Sequence, residues 1–201
     1  MEIITLPLGP LQTNCYVVYD EASRVCALID PGAEPQKIMG TLTGLALNLK
    51  GILLTHAHYD HTGALHALHE RYPEVPIYVG APDTDETTNM SRGNLVYTDT
   101  FLDGDDIACA PLSFHAISTP GHTLGSSCLI SQDVIFSGDT LFAGSCGRTD
   151  LPGGNGRQMM ASLKRLAELP GDYRVLPGHG EASTLDAERQ TNYYMREATR
   201  V

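Results

Sequence analysis

Short apolar runs closed by glycine, proline or aspartate recur along the chain, and they set its predicted elements. Two such runs cover residues 2–6 and 14–19 around a turn at Gly9-Pro10. A third, over 24–29, stops at Asp30-Pro31-Gly32. A helix is predicted over 35–47, with Pro35 at its start, where a missing N–H costs little. Residues 51–54 read as a buried strand, and Ala64, Leu65, Leu68 and Tyr72 recur at helical spacing over 62–72. Further strands are predicted at 76–79, 112–118, 127–131, 134–136 and 173–176. Met159, Met160, Leu163, Leu166 and Ala167 share one side of a helix over 157–169. A final helix is predicted from near Ser183, with Asp186 completing a weak capping box. Between 80 and 106 the pattern lapses: seven acidic residues stand there with Arg92 as the one basic residue. That stretch is read as a solvated helix and loop, with a flap bordering a site as the competing reading. The order of elements implies an α/β chain with two β-layers and helices outside, in one domain over 1–201.

Four of the apolar runs end in a glycine or threonine turn followed by a metal-competent side chain. The first turn, Thr55-His56-Ala57-His58-Tyr59-Asp60-His61, carries three imidazoles and a carboxylate. The others deliver His122, Asp139 and His179. Strand ends are rigid and can converge at one sheet edge. Five imidazoles and two carboxylates are too many for one tetrahedral ion and suit two ions sharing a carboxylate. Any one of these residues alone reads equally as a cap, a turn or a surface side chain. Together and in this order they are a specific pattern. His66, His69 and His115 fit helix or strand surfaces.

Composition narrows the partners. The formal net charge of -11 repels phosphate backbones, so nucleic acid is not expected. Five cysteines without a C-x-x-C spacing point to a reduced, cytoplasmic protein. No basic-then-apolar leader opens the chain, and no apolar run approaches the ~20 residues of a membrane span, so no membrane partner is expected.

With Thr-His-Ala-His-Tyr-Asp-His at 55–61, Thr-Pro-Gly-His-Thr at 119–123, Ser-Gly-Asp-Thr-Leu-Phe at 137–142 and Pro-Gly-His-Gly at 177–180, the chain resembles the metallo-β-lactamase superfamily. The resemblance implies a four-layer αββα sandwich. Gln12-Thr13-Asn14-Cys15-Tyr16 and Asp30-Pro31-Gly32 make it most similar to the type II glyoxalases, the hydroxyacylglutathione hydrolases. Carried over, His56, His58 and His122 would hold one metal, Asp60, His61 and His179 the other, and Asp139 would bridge them. The implied cofactors are two divalent ions per chain, zinc first, with iron or manganese suiting the same donors. The implied reaction is hydrolysis of a small-molecule thioester such as S-lactoylglutathione by a hydroxide bridging the metals, with Asp60 as ligand and orienting group.

The chain departs from that family where substrate is recognised. About 20 residues follow His179, which reads as a short form without the family's C-terminal glutathione-binding domain. Arg148 after Cys146-Gly147 is the candidate for a substrate carboxylate, and tying down the glycine-rich loop is its structural alternative. Arg157, Tyr193 and Tyr194 are lesser candidates. Gly147-Arg148-Thr149-Asp150 also resembles the persulfide dioxygenases, in which His56, His122 and Asp139 would hold one iron and glutathione persulfide would be the substrate. A non-enzymatic metal-binding module is the remaining reading.

Overall fold

A computed structural model describes residues 1–200. In chain order its elements begin with β1 (Glu2–Leu8), β2 (Thr13–Tyr19), β3 (Val25–Ile29), α1 (Pro35–Gly44), β4 (Asn48–Leu53), α2 (Tyr59–Thr62), α3 (Leu65–Arg71) and β5 (Ile77–Gly80). Next come β6 (Asp99–Phe101), β7 (Asp106–Cys109), β8 (Leu112–Ser118), β9 (Ser127–Ser131), β10 (Val134–Gly138), β11 (Leu141–Phe142) and β12 (Ser145–Cys146). The remainder is α4 (Gly156–Ala167), β13 (Arg174–Pro177), β14 (Ser183–Thr184), α5 (Leu185–Thr191) and α6 (Tyr193–Ala198).

One sheet runs in the order β1 to β6 and the other in the order β14-β13-β10-β9-β8-β7. Three apolar layers hold the sandwich together. Ile38, Leu42, Leu65 and Leu68 of α1 and α3 pack on the outer face of the first sheet. Val18, Ile29 and Leu53 of the first sheet meet Phe114, Leu129 and Phe136 of the second. Met159, Leu163, Leu166, Leu185 and Met195 cover the second sheet from outside. The result is the αββα sandwich, and it arises because buried strands carry apolar side chains toward both of their neighbours.

This topology decides where the turns fall. Strand β9 is antiparallel to both β8 and β10, and β13 is parallel to β10, so β8, β10 and β13 all end at one edge. The end of β4 joins that edge, since Ser127 N–H donates to the Thr55 carbonyl across the sheets at 2.9 Å. Asn14 N–H donates to the Gly178 carbonyl at 2.8 Å and brings the start of β2 to the same place.

Two expectations need correction. The stretch over 80–106 is not a solvated helix and loop throughout: a 3-10 turn over Ala81–Thr84 leads into a loop and then into β6 of the first sheet. Asp83, Asn89 and Ser91 are buried there. Its acidic content hid this, because the buried members are anchored by hydrogen bonds rather than apolar packing. The C-terminal helix is two helices, and its cap is Thr184, whose Oγ1 accepts from Ala187 N, in place of Ser183. Asn192 breaks it, because its Oδ1 caps α6 while its Nδ2 donates to the Ser145 carbonyl at 2.9 Å.

Phe136 is fully buried between the sheets, with its ring centroid 5.3 Å from that of Tyr16 and 6.2 Å from that of Phe114. Phe136→Ala is expected to cost about 3–5 kcal/mol, measured as a lowered denaturant midpoint at unchanged m-value.

Candidate metal centre

All seven side chains singled out in the sequence meet at the shared sheet edge. His56, His58 and His122 form one group whose donor atoms all lie within 4.8 Å of one another, and Asp60, His61 and His179 form a second. Asp139 stands between the groups. Its Oδ1 is 3.5 Å from His61 Nε2, and its Oδ2 is 3.4 Å from His122 Nε2 and 3.6 Å from His179 Nε2. Asp60 Oδ2 lies 3.2 Å from His179 Nε2 and 3.6 Å from His61 Nε2.

For His56, His61, His122 and His179 the far side of the ring explains why the near side faces the centre. His61 Nδ1–H donates to Asp30 Oδ2 at 2.9 Å, His122 Nδ1–H to the Arg148 carbonyl at 2.8 Å, and His179 Nδ1–H to the Leu11 carbonyl at 3.2 Å. Thr55 spends its hydroxyl proton on Asp30 at 2.6 Å, so its oxygen accepts from His56 Nδ1–H at 3.1 Å. Each outer bond fixes the tautomer that leaves a lone pair on Nε2. The Nε2 atoms of His56, His58, His61 and His122, with Asp139 Oδ1, are buried and make no hydrogen bond. Bare buried polar atoms are costly, and this many in one place fit nitrogen- and oxygen-loving divalent cations.

Electrostatics follow from the crowding. Burial, and then the neighbouring imidazoles, push His56 well below the usual histidine range, and burial brings His58 down to about 4. Both therefore stay neutral and able to donate a lone pair at neutral pH. Burial opposes a charge on His61, but the Asp30 and Asp139 carboxylates outweigh it and raise its pKa. Burial likewise opposes the charge on Asp60, yet the His179 hydrogen bond and the His61 ring hold it below the usual carboxylate range. For Asp139 burial is again the opposing influence, and His61 is the first of the neighbours that bring it down.

Asp30 also lies within ligand distance of His56 and His61. Its oxygens are already taken by Thr55 N, Thr55 Oγ1 and His61, so it orients the rings from behind. Gly178 permits the close approach of the last turn: a Cβ there would stand 2.2 Å from Asp139 Oδ1 and 2.7 Å from His61 Cε1.

A cavity of about 420 Å³ opens over the centre, with Leu11, Tyr59, Met90, Phe142, Leu151 and Arg148 around its walls. The Arg148 side chain is exposed and bonds no loop carbonyl. Its Nε and Nη2 donate to the two oxygens of Asp150 at 2.8 Å each, and the guanidinium holds that carboxyl down to about 2. Arg157, Tyr193 and Tyr194 are not among the residues lining this cavity.

Sequence reading missed several contributors. Thr13 donates to Asp60 Oδ2 at 3.1 Å, Asn14 Nδ2 to the Pro177 and Gly180 carbonyls at 3.0 Å each, and Tyr16 OH to the Pro177 carbonyl at 2.6 Å. Asn14 and Tyr16 hold the His179 turn and Thr13 holds Asp60, and the Gln12-Thr13-Asn14-Cys15-Tyr16 signature was their trace. Met90 has no comparable signal in the sequence.

Comparisons with known proteins show the family and the fold. The family model described as "Metallo-beta-lactamase superfamily" matches residues 8–179. The chain is 32% identical to the hydroxyacylglutathione hydrolase GloC of Haemophilus influenzae, with 97% of this chain and 98% of GloC covered. It superposes on TTHA1623, solved in a di-iron-bound form, with a TM-score of 0.81 at 36% identity, covering 95% of this chain and 99% of that one. It also superposes on ETHE1 from Myxococcus xanthus with a TM-score of 0.83 at 29% identity, covering 99% of this chain and 88% of that one.

Asp139 turns its carboxylate oxygens toward His61, His122 and His179 and so faces both groups. Asp139→Ala is expected to lower metal affinity by more than the ~10–100-fold typical of losing an outer-shell partner. Elemental analysis of the purified variant checks this, with far-UV circular dichroism to verify folding. Full metal content in a folded variant would remove Asp139 from the centre.

Proposed function

The chain belongs to the metallo-β-lactamase superfamily, and on that premise we propose that it is a binuclear metal-dependent hydrolase that cleaves a small-molecule thioester such as S-lactoylglutathione. The observation that carries the reading is the set of buried, unpartnered imidazole nitrogens around Asp139, under an open cavity. Kinship with GloC, which is named a hydroxyacylglutathione hydrolase, supports the substrate class.

His56, His58 and His122 would hold one cation, Asp60, His61 and His179 the other, and Asp139 both. Zinc is proposed, and iron suits the same donors, as the di-iron form of TTHA1623 illustrates. Bound there, the cations would supply Lewis acidity toward the carbonyl and a water acidic enough to attack at neutral pH. The chain's own residues do the rest. Asp60, ionised and anchored by the Thr13 hydroxyl, orients the attacking water. Leu11, Tyr59, Met90 and Phe142 flank the reacting carbonyl and limit bulk water beside it. The leaving thiolate needs little general-acid help. Arg148, at the cavity wall, is the candidate contact for a substrate carboxylate, for which it must part from Asp150.

We assign the protein to the cytoplasm, with no nucleic-acid or membrane partner. All five cysteines are free thiols. Among the described residues no helix is long and apolar enough to cross a membrane. The Gly147-Arg148-Thr149-Asp150 segment supports a second reading, oxygen insertion into glutathione persulfide at a single iron held by His56, His122 and Asp139. A metal-binding module without activity is the third.

Elemental analysis with a substrate screen separates the three. Close to two ions per chain and turnover of thioesters are expected. One iron with oxygen uptake on persulfide would establish the second reading, and no activity after metal reconstitution would establish the third. Arg148→Ala is expected to raise KM by about two- to fivefold with little change in kcat, the size of one exposed charge contact. An unchanged KM would assign Arg148 to the loop alone.

A further inference from the structure

Asp83 is a buried carboxylate that the centre described above does not use. It sits in the 3-10 turn after β5, and only 1% of its surface is exposed. Among the described residues no cation forms an ion pair with it: its partners are three neutral donors from the two turns that carry His58 and His122. Its Oδ2 accepts from Ala57 N–H at 2.9 Å and from the Thr123 hydroxyl at 2.9 Å. Its Oδ1 accepts from Gly125 N–H at 2.6 Å. Ala57 stands between His56 and His58, and Thr123 follows His122. One carboxylate thus joins two chain segments, from opposite sheets, immediately beside three of the imidazoles.

The fit around it is close. A Cβ on Gly125 would stand 2.7 Å from Asp83 Oδ1, and a Cβ on Gly80 would stand 2.5 Å from the Gly125 carbonyl oxygen. The main chain of Asp83 has a second task. Its carbonyl accepts from Asn89 Nδ2 at 3.0 Å, and Asn89 Oδ1 accepts from Ser91 N–H at 2.9 Å. These bonds turn the loop so that Met90 meets the cavity.

A second buried carboxylate, Asp30, bonds His61 of the other group directly and reaches His56 of this group only through Thr55. The two carboxylates share no donor: Asp30 accepts from Thr55 and His61, Asp83 from Ala57, Thr123 and Gly125, so the turns of His58 and His122 are held by Asp83 and not by Asp30. A buried carboxylate that accepts three hydrogen bonds is held firmly, and what it holds is held with it.

We propose that Asp83 is the positioning residue of the His56/His58/His122 group, clamping the two turns that carry His58 and His122 so that its loss weakens the metal of this group and not that of the Asp60/His61/His179 group. The proposal rests on the two-ion reading of the centre. Asp83→Asn tests it, since the amide keeps the shape but turns an NH2 toward an N–H or hydroxyl donor.

The measurement is calorimetric titration of metal-depleted protein with zinc chloride, on chains verified as folded by circular dichroism. The unsubstituted chain is expected to take two ions. In Asp83→Asn one of them is expected to weaken by about 10–100-fold. Two backgrounds identify which. With His179→Ala removing the second group, adding Asp83→Asn should weaken the ion that remains by the same factor. With His58→Ala removing part of the first group, adding Asp83→Asn should leave the remaining ion unchanged. Thr123→Val removes one of the three donors without touching the carboxylate. It should weaken the same ion by a smaller factor, and it carries the test if Asp83→Asn does not fold.

Unchanged affinity for both ions, or equal loss of both, would overturn the proposal. Fewer than two ions on the unsubstituted chain would instead overturn the two-ion reading, a failure seen without any substitution.

Discussion

The rest of the structure depends on the outward hydrogen bonds of four imidazoles, those of His56, His61, His122 and His179. A histidine aimed at a cation must keep its proton on the other nitrogen, and that proton must be bonded or the ring will turn. Here the acceptors are the Asp30 carboxylate, the Thr55 hydroxyl and two main-chain carbonyls, of Arg148 and Leu11. Each acceptor belongs to a different segment from the ring it serves, or to the adjacent residue on a strand end. The centre therefore exists only when both sheets and the loop after β12 are in register. The apolar layer between the sheets, with Phe114 and Phe136 at its middle, supplies that register. Folding energy and ligand geometry are in this sense one property.

Much of this was legible in the chain because two signals coincide. Apolar runs mark strands, and a glycine or threonine turn after a run marks where a side chain leaves the sheet. His56, His122, Asp139 and His179 all sit at such points, so spacing exposed them. What stayed hidden has a different physical basis. Thr13, Asn14 and Tyr16 act through single hydrogen bonds across the sheet edge, and nothing in residue type distinguishes such a bond from a surface contact. Asp83 and Asn89 lie in an acidic stretch whose composition argues for solvent, and only tertiary contacts make them interior. Asn192 breaks a helix that periodicity would continue, because its amide is needed at Ser145 and Glu188. Periodicity registers which face is apolar and is blind to a polar side chain that satisfies a distant backbone.

The C-terminal helices are tied to the cavity by that same polar cluster. Glu188 is buried, accepts from Gly144 N–H at 2.9 Å and from Asn192 Nδ2 at 2.8 Å, and also accepts from the Ser183 hydroxyl. These bonds anchor the β11–β12 hairpin, which carries Phe142 on the cavity wall and leads directly into Arg148. A buried carboxylate with several donors is a firm tether, whereas exposed ion pairs contribute little to stability. The hairpin's position is thus set from behind, by α5 and α6, and not by the charges at its tip.

This arrangement separates metal chemistry from substrate choice within a single residue. Arg148 serves the centre through its carbonyl, which accepts from His122, and faces the cavity through its side chain. The first role is indifferent to residue type, because every amino acid offers the same carbonyl. The second depends wholly on type, and its bidentate pair with Asp150 lies in solvent. A substitution at 148 can therefore alter what the cavity prefers while His122 keeps its tautomer and direction. The converse does not hold. Residues such as Gly178, packed against Asp139 and His61, have no room for any side chain, so the centre's own turns are closed to change. Specificity is free to vary where the main chain alone is needed, and the chemistry is fixed where side chains meet face to face.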